Sequence, residues 1–219
     1  MMKKKIGLLT IGQSPRSDMT PEMQVLLGAE TTFIEAGALD DLTEAEIARL
    51  APDKGEATYV SRLRNGNSVK LAKRKVLPLL QGKVNEVEEI ASSSVIVCTG
   101  SFPDISHKKP LLFPDQILKH VVKAVLREGN LGLLVPLAEQ KQQLIEKWDA
   151  LPVVAAAASP YEAGDFERPA QELKANGATI IVLDCMGYTE QHKKIVKAAT
   201  GLPVILARSI VARIAAELG

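Results

Sequence analysis

The two cysteines of this chain occupy matched settings. Val95-Ile96-Val97-Cys98-Thr99-Gly100 and Ile181-Val182-Leu183-Asp184-Cys185-Met186-Gly187 each carry an apolar β-type run into Cys-X-Gly. In an open α/β sheet the carboxyl ends of the strands border the ligand crevice. Two thiols placed there would face each other across a bound molecule, one as base and the other as acid in a two-base proton transfer.

A thiol near its reference pKa of about 8.5 is mostly protonated at neutral pH, so the site must activate it. A helix N-terminus does this through its partial positive charge, and both cysteines precede an expected helix or turn. Gly100 and Gly187 would let the backbone approach a ligand, with neighbouring N–H groups turned to a carboxylate. Thr99, Ser101, Met186 and Tyr188 complete the expected binding loops, the Tyr188 hydroxyl reaching a ligand from the loop after Cys185. One such cysteine alone would be read as a small buried hydrophobe; the repeated setting favours function. Asp184 is a base or hydroxyl-orienting candidate, or a turn residue.

The first apolar run, Ile6 to Ile11, leads into Gly12-Gln13-Ser14-Pro15-Arg16-Ser17-Asp18. This polar loop belongs at the same sheet edge and makes a candidate anion pocket. Gln13 and Ser14 supply uncharged hydrogen-bonding groups and Arg16 a fork for a carboxylate or phosphate. Asp18 or Ser17 is expected to cap the helix beginning near Thr20-Pro21.

These loops need strands to hold them. β-branched runs recur at Ile6–Ile11, Thr31–Ala36, Val95–Cys98, Leu131–Val135, Val153–Ala157, Thr179–Asp184 and Val204–Ala207. Helix-length amphipathic stretches lie between most of them, such as Asp115–Glu128 and Arg168–Asn176. The alternation predicts an α/β fold with mainly parallel sheets flanked by helices. Thr58–Leu63 and Ser68–Leu71 around Asn65-Gly66 predict a hairpin with a two-residue turn. A long helix follows, Ala72 to Ile90, bent at Pro78 and weakened at Gly82. Each half carries one strand ending in Cys-X-Gly, so a duplicated plan is expected. One lobe is assigned to residues 1–114 with 203–219, whose final strand and helix return to it; the other covers 115–202.

The 219 residues carry a formal net charge of +1 with basic residues dispersed, which excludes the footprint of a nucleic-acid binder. The cluster Lys70, Lys73, Arg74 and Lys75 reads as a solvated helix face. Two distant cysteines with no secretory leader are read as free thiols in a reducing compartment, with the cytoplasm as the default expectation and a single disulfide as the alternative. Met1–Lys5 is basic, but the apolar run after it is too short for a signal or membrane segment. His107, His120 and His192 show no metal-ligand spacing, and His192, seven residues after Cys185, reads as an exposed helical residue, with a helper to that thiol as the alternative. With no GxxxxGK[ST] or GxGxxG, no cofactor is expected. A homodimer is the default for a soluble homo-oligomer.

Thr10-Ile11-Gly12-Gln13-Ser14-Pro15-Arg16, Cys98-Thr99-Gly100-Ser101-Phe102-Pro103 and Asp184-Cys185-Met186-Gly187-Tyr188 together resemble the AroM family, along essentially the whole chain. AroM-like proteins are similar in turn to the aspartate/glutamate/hydantoin racemase superfamily. The resemblance implies two pseudo-symmetric Rossmann-like lobes with an inter-lobe cleft and one cysteine from each lobe. It also implies cofactor-independent proton transfer beside a carboxylate, with Cys98 and Cys185 as catalytic pair. The superfamily also holds single-cysteine decarboxylases, against which two thiols argue, and cis-trans isomerases of unsaturated diacids. Glutamate racemases carry Asp-Ser after the first strand, where this chain has Gln13-Ser14, and Thr-His after the second cysteine, where Met186-Gly187 stands. The amine-holding carboxylate and the assisting histidine are thus replaced. The expected partner is a small carboxylate or other small anionic metabolite without a charged amine, and the expected function is a racemase, epimerase or isomerase. A non-catalytic binding or regulatory protein on the same fold is the alternative.

Overall fold

The computed structural model describes residues 4–148 and 151–218; residues 1–3 of the basic N-terminal stretch lie outside them. The chain divides into two compact units, Met1–Asp115 with Ala212–Gly219, and Gln116–Val211.

In chain order the first unit is built from β1 (Lys4–Thr10), α1 (Thr20–Leu27), β2 (Thr31–Gly37), α2 (Glu44–Ala48), β3 (Thr58–Arg62), β4 (Ser68–Ala72), α3 (Lys73–Glu88), β5 (Ser93–Ile96) and β6 (Leu111–Leu112). β1, β2, β5 and β6 form an all-parallel sheet in the order β2-β1-β5-β6. Residues 6–10 of β1 and the whole of β5 are buried, as expected where helices cover both faces of a parallel sheet. α3 presents Val76, Leu80, Val84 and Val87 on one buried face at intervals of four, four and three, the spacing of an apolar helical stripe. These pack with Leu9, Ile11, Leu39, Ile96 and Phe102 into one core cluster. Pro78 lies inside this helix, which continues past it to Glu88.

The second unit follows with α4 (Pro114–Val125), whose start reaches back into the first, β7 (Asn130–Val135), α5 (Lys141–Glu146), β8 (Val153–Ala157), α6 (Glu167–Ala175), β9 (Ala178–Leu183), α7 (Glu190–Thr200), β10 (Val204–Leu206) and α8 (Ala207–Leu218). Its sheet, also all parallel, runs β8-β7-β9-β10. Its core gathers Leu134, Ala156, Phe166, Leu173, Ile181, Leu183 and Val196.

Counting the sheet strands by their order within each unit, both sheets run 2-1-3-4. In this order the winding direction reverses between the first and third strands, and the crevice outside their carboxyl ends is the binding position of such sheets. Cys98 follows β5 and Cys185 follows β9, the third strand of its own sheet in both cases.

Several expectations are corrected. β10 is paired with β9, Val204 to Leu206 against Ile181 to Leu183, so the last strand stays in the second sheet. Five residues connect β3 and β4, and the pairing of Leu63 with Asn67 leaves a turn of three, Arg64-Asn65-Gly66. Leu63 N–H donates to Asn67 O and Gly66 N–H to Leu63 O, with Gly66 at φ 85°. A two-residue turn of the Asn-Gly type needs a positive φ at the asparagine as well, and no described non-glycine residue has one. Of the helix or turn expected after Cys98 it is a turn that follows, and the short β6 comes before α4 begins at Pro114. Lys70, Lys73, Arg74 and Lys75 are not simply solvated. Arg74 ion-pairs with Asp53 and Glu56, Lys75 Nζ donates to the carbonyls of Arg49 and Ala51, and Lys73 Nζ lies 4.8 Å from the Tyr59 ring centre.

Candidate active site

At the first sheet's edge, Val97 N–H continues the β1–β5 ladder to Leu9 O at 2.8 Å. The parallel register thereby brings the loops after β1 and β5 to the same edge. Cys98 is half-buried, and Gly100 N–H points at its Sγ across 3.4 Å. An amide directed at sulfur favours the thiolate, the charged and nucleophilic form. Tyr59, from the hairpin, closes over this turn. A Cβ added to Gly100 would lie 2.6 Å from its ring, so glycine is required here. The Tyr59 hydroxyl donates to Ser101 O at 2.6 Å, and its ring stacks on Phe102 at 4.9 Å. Burial, with the neighbouring charges of Cys98 and Asp115, holds the Tyr59 phenol well above its ordinary pKa. It is a neutral donor. Thr99 is buried and Ser101 half-buried.

The loop after β1 is organised by a carboxylate that the sequence did not single out. Asp40 accepts from Ser14 N–H at 2.7 Å, Ser14 Oγ at 2.6 Å and Gly37 N–H at 2.7 Å, and pairs with Arg64 at 2.9 Å. Arg64, at the hairpin tip, also donates through Nε to Ser14 O. Gln13 is held at both ends of its amide: Nε2 donates to Leu39 O, and Oε1 accepts from Arg64 N–H at 3.1 Å. Arg16 is buried and forks onto Asp18 through two 2.8 Å bonds, with a third from Nη1 to Thr10 Oγ1. Asp18 therefore holds Arg16 rather than capping α1, whose N-cap is Met19 without a side-chain bond. The polar groups of Gln13 and Ser14 are thus bound to Leu39, Arg64 and Asp40, and the Arg16 fork expected for an anion is occupied by Asp18.

The second unit repeats the cysteine turn. Cys185 is half-buried and Gly187 N–H points at its Sγ across 3.4 Å. A tyrosine again lies over the glycine: Tyr161, from the loop after β8, would stand 2.5 Å from a Cβ added to Gly187. Its hydroxyl lies 3.9 Å from Cys185 Sγ. Tyr188 is turned inward instead. It is fully buried, donates to Ala158 O at 2.8 Å, and burial with the nearby Cys185 and Asp184 charges raises its phenol pKa well above the ordinary value.

The peptide groups of this turn are fixed from below by Arg208, 1% exposed, in the first turn of α8. Its Nε donates to Met186 O at 2.9 Å and its Nη2 to Gly187 O at 3.1 Å. Asp184, 1% exposed, accepts Lys147 Nζ at 2.7 and 2.9 Å and Trp148 Nε1 at 3.2 Å. This carboxylate anchors α5 to the end of β9 rather than standing ready as a base. His192 is half-buried and structural, stacked on Phe166 at 4.2 Å and accepting Thr189 N–H at the start of α7. Among the described residues no group of three His, Cys, Asp or Glu side chains is arranged to hold a metal ion, and no helix is long and apolar enough to cross a membrane.

The sequence singled out both cysteines and both glycines but not Tyr59, Tyr161, Asp40 or Arg208. Arg208 alone left a trace, a cation inside the apolar run Val204 to Ala212.

Comparison with solved structures finds the same fold at low identity. Glutamate racemase isoform RacE1 from Bacillus anthracis aligns with 13% identity and a TM-score of 0.59, over 100% of this chain and 82% of its own. A Picrophilus torridus aspartate racemase aligns with 14% identity and a TM-score of 0.56, over 95% and 91%. The maleate isomerase of Pseudomonas putida S16 gives 13% and 0.56, over 95% and 90%. No curated protein matches the chain. The model of the family described as AroM protein matches residues 6–219, and the chain belongs to the AroM family.

Proposed function

We propose that this protein is a cofactor-independent racemase, epimerase or isomerase of a small carboxylated metabolite, with Cys98 and Cys185 as its acid/base pair. One observation carries the reading. Each unit ends the third strand of a 2-1-3-4 sheet in a half-buried cysteine whose sulfur receives the amide N–H two residues on, beneath a tyrosine. Packing alone has no reason to reproduce that arrangement twice.

In the proposed reaction one thiolate takes the proton from the carbon beside the substrate carboxylate, and the electron pair moves into the carboxylate. The other thiol then delivers a proton to the opposite face. The proton count closes over one turnover, leaving the thiol and thiolate exchanged. The substrate favoured is an acid without a charged amine. Gln13 takes the loop position of the expected carboxylate, and Asp40 is committed to Ser14, Gly37 and Arg64. The maleate isomerase among the similar folds keeps a second reading open, in which a thiolate adds to an unsaturated acid and leaves after bond rotation.

The test is a panel of small carboxylic acids in D2O, followed by NMR. Proton transfer predicts deuterium at the carbon beside the carboxylate, and Cys98→Ser and Cys185→Ser should each lose about 10²-fold or more in turnover. Geometric isomerisation without exchange selects the second reading. Full activity in both variants overturns the acid/base pair. Turnover of no acid, with both thiols unreactive to alkylation at neutral pH, identifies the protein as a binder.

A further inference from the structure

A cavity of about 190 Å3 opens in the second unit, lined on one side by a single stripe of α4: Gln116, Lys119, His120 and Lys123. These lie at i, i+3, i+4 and i+7, so one helical face supplies them all. The other side is Lys147 and Trp148, just beyond α5, with Leu151. Among the described residues no carboxylate lines it. Two surface lysines of α4, with the Asp184-bound Lys147 behind them and a histidine between, give this small space a positive lining. The cation nearest the protein interior, Lys147, has a side chain only 8% exposed and is bound to the buried Asp184, which leaves Lys119 and Lys123 as the lining's ammonium groups without an ion pair among the described residues. His120 Nδ1 lies 2.7 Å from Gln116 O, an acceptor only, so Nδ1 carries the hydrogen and Nε2 is the ring's second polar atom. The indole of Trp148 and the side chain of Leu151 add an apolar wall.

We infer that this cavity is an effector site for a small phosphate-bearing anion, acting on the Cys185 turn through Lys147 and Asp184. Clustered ammonium groups suit a multivalent oxyanion, phosphate above all, and the volume suits a small metabolite rather than a nucleotide or a polymer. The route to the thiol is short: the cavity wall contains Lys147 and Trp148, both bonded to the Asp184 carboxylate, and the next residue is Cys185. An anion drawing on Lys147 weakens its hold on Asp184 and so shifts the turn that carries the sulfur. The site requires no turnover at the cysteines and stands apart from the acid/base reading.

Trp148 is the chain's single tryptophan, so intrinsic fluorescence reports on this cavity. Inorganic phosphate and phenyl phosphate are titrated into the intact protein at constant ionic strength against chloride, with parallel alkylation of Cys185 followed by peptide mass spectrometry. The expected result is a saturable fluorescence change with both phosphates and none with chloride. The Lys119→Gln/Lys123→Gln double variant should bind about tenfold more weakly, having lost two charged contacts on a helix that tolerates glutamine. Phosphate should change the Cys185 alkylation rate in the wild type and not in the double variant. A response equal to that of chloride, or unchanged in the double variant, overturns the site. Binding that leaves Cys185 reactivity unaltered overturns the effector role.

Discussion

Each Cys-X-Gly turn depends on its glycine because a tyrosine occupies the space where a side chain would start. The two tyrosines are used differently. The Tyr59 hydroxyl is spent on Ser101 O, whereas the Tyr161 hydroxyl lies within reach of Cys185 Sγ. Tyr161 is therefore a positioning residue for one sulfur in particular. Removing its hydroxyl by Tyr161→Phe takes a donor away from the thiolate while keeping the ring over Gly187. A single hydrogen bond contributes about 0.5–1.5 kcal/mol net, so alkylation of Cys185 at neutral pH should slow roughly two- to tenfold. Cys98, which belongs to the other unit, should keep its rate and serves as the internal control. Equal slowing of both thiols would show a global effect, and no slowing would show that the 3.9 Å approach carries no interaction.

At the scale of elements, the apolar strands were legible because parallel, doubly covered strands write themselves as β-branched runs. The misses have the same kind of cause. β6 is two residues long, too short for any period to show. α2 was announced by Thr43 and Glu46, which form its capping box, a signature available in the sequence but not taken up. Asp40 joins Ser14 across 26 residues and Arg208 joins Met186 across 22, and no local pattern encodes such pairings. Glu88 is a similar long-range tie. At the end of α3 its Oε1 accepts the N–H groups of Lys108 and Lys109 at 2.7 and 3.0 Å, fastening the segment between Cys98 and β6. Burial pushes its pKa up, but these two N–H bonds outweigh it and hold the carboxyl below the usual 4.5. A group with a depressed folded pKa stabilises the fold above its unfolded value and loses that contribution as pH falls through the folded one. Denaturant unfolding should thus show wild-type stability declining below about pH 4.5. Glu88→Gln, unable to ionise, should be less stable by about 1–2 kcal/mol at pH 7 and should decline less over the same acid range. Parallel acid limbs in the two proteins would rule this out.

At the scale of the whole molecule, two units with the same 2-1-3-4 winding place a thiol at the same topological position, which is why two short motifs were enough to read the plan from sequence. The lobe boundary was less legible, because β10 and α8 follow one another without a composition change, yet the strand stays in the second sheet while the chain's last residues join the first unit. If the duplicated plan serves small carboxylates, binding is demonstrable before any reaction is known. A ligand that binds only the folded state at 100 times its Kd adds about 2.7 kcal/mol, which for a chain of this size raises Tm by roughly 5–10 °C. In a thermal-shift series, acids lacking an amine should raise Tm more than the corresponding α-amino acids, since Gln13 stands where an amine-pairing carboxylate is expected and Asp40 is already paired with Arg64. Cys98→Ser/Cys185→Ser, which alters two sulfur atoms and leaves the loop walls in place, should keep most of that shift while losing turnover. Amino acids ranking above their amine-free counterparts would mean that another carboxylate receives the amine, and the substrate class proposed here would be wrong.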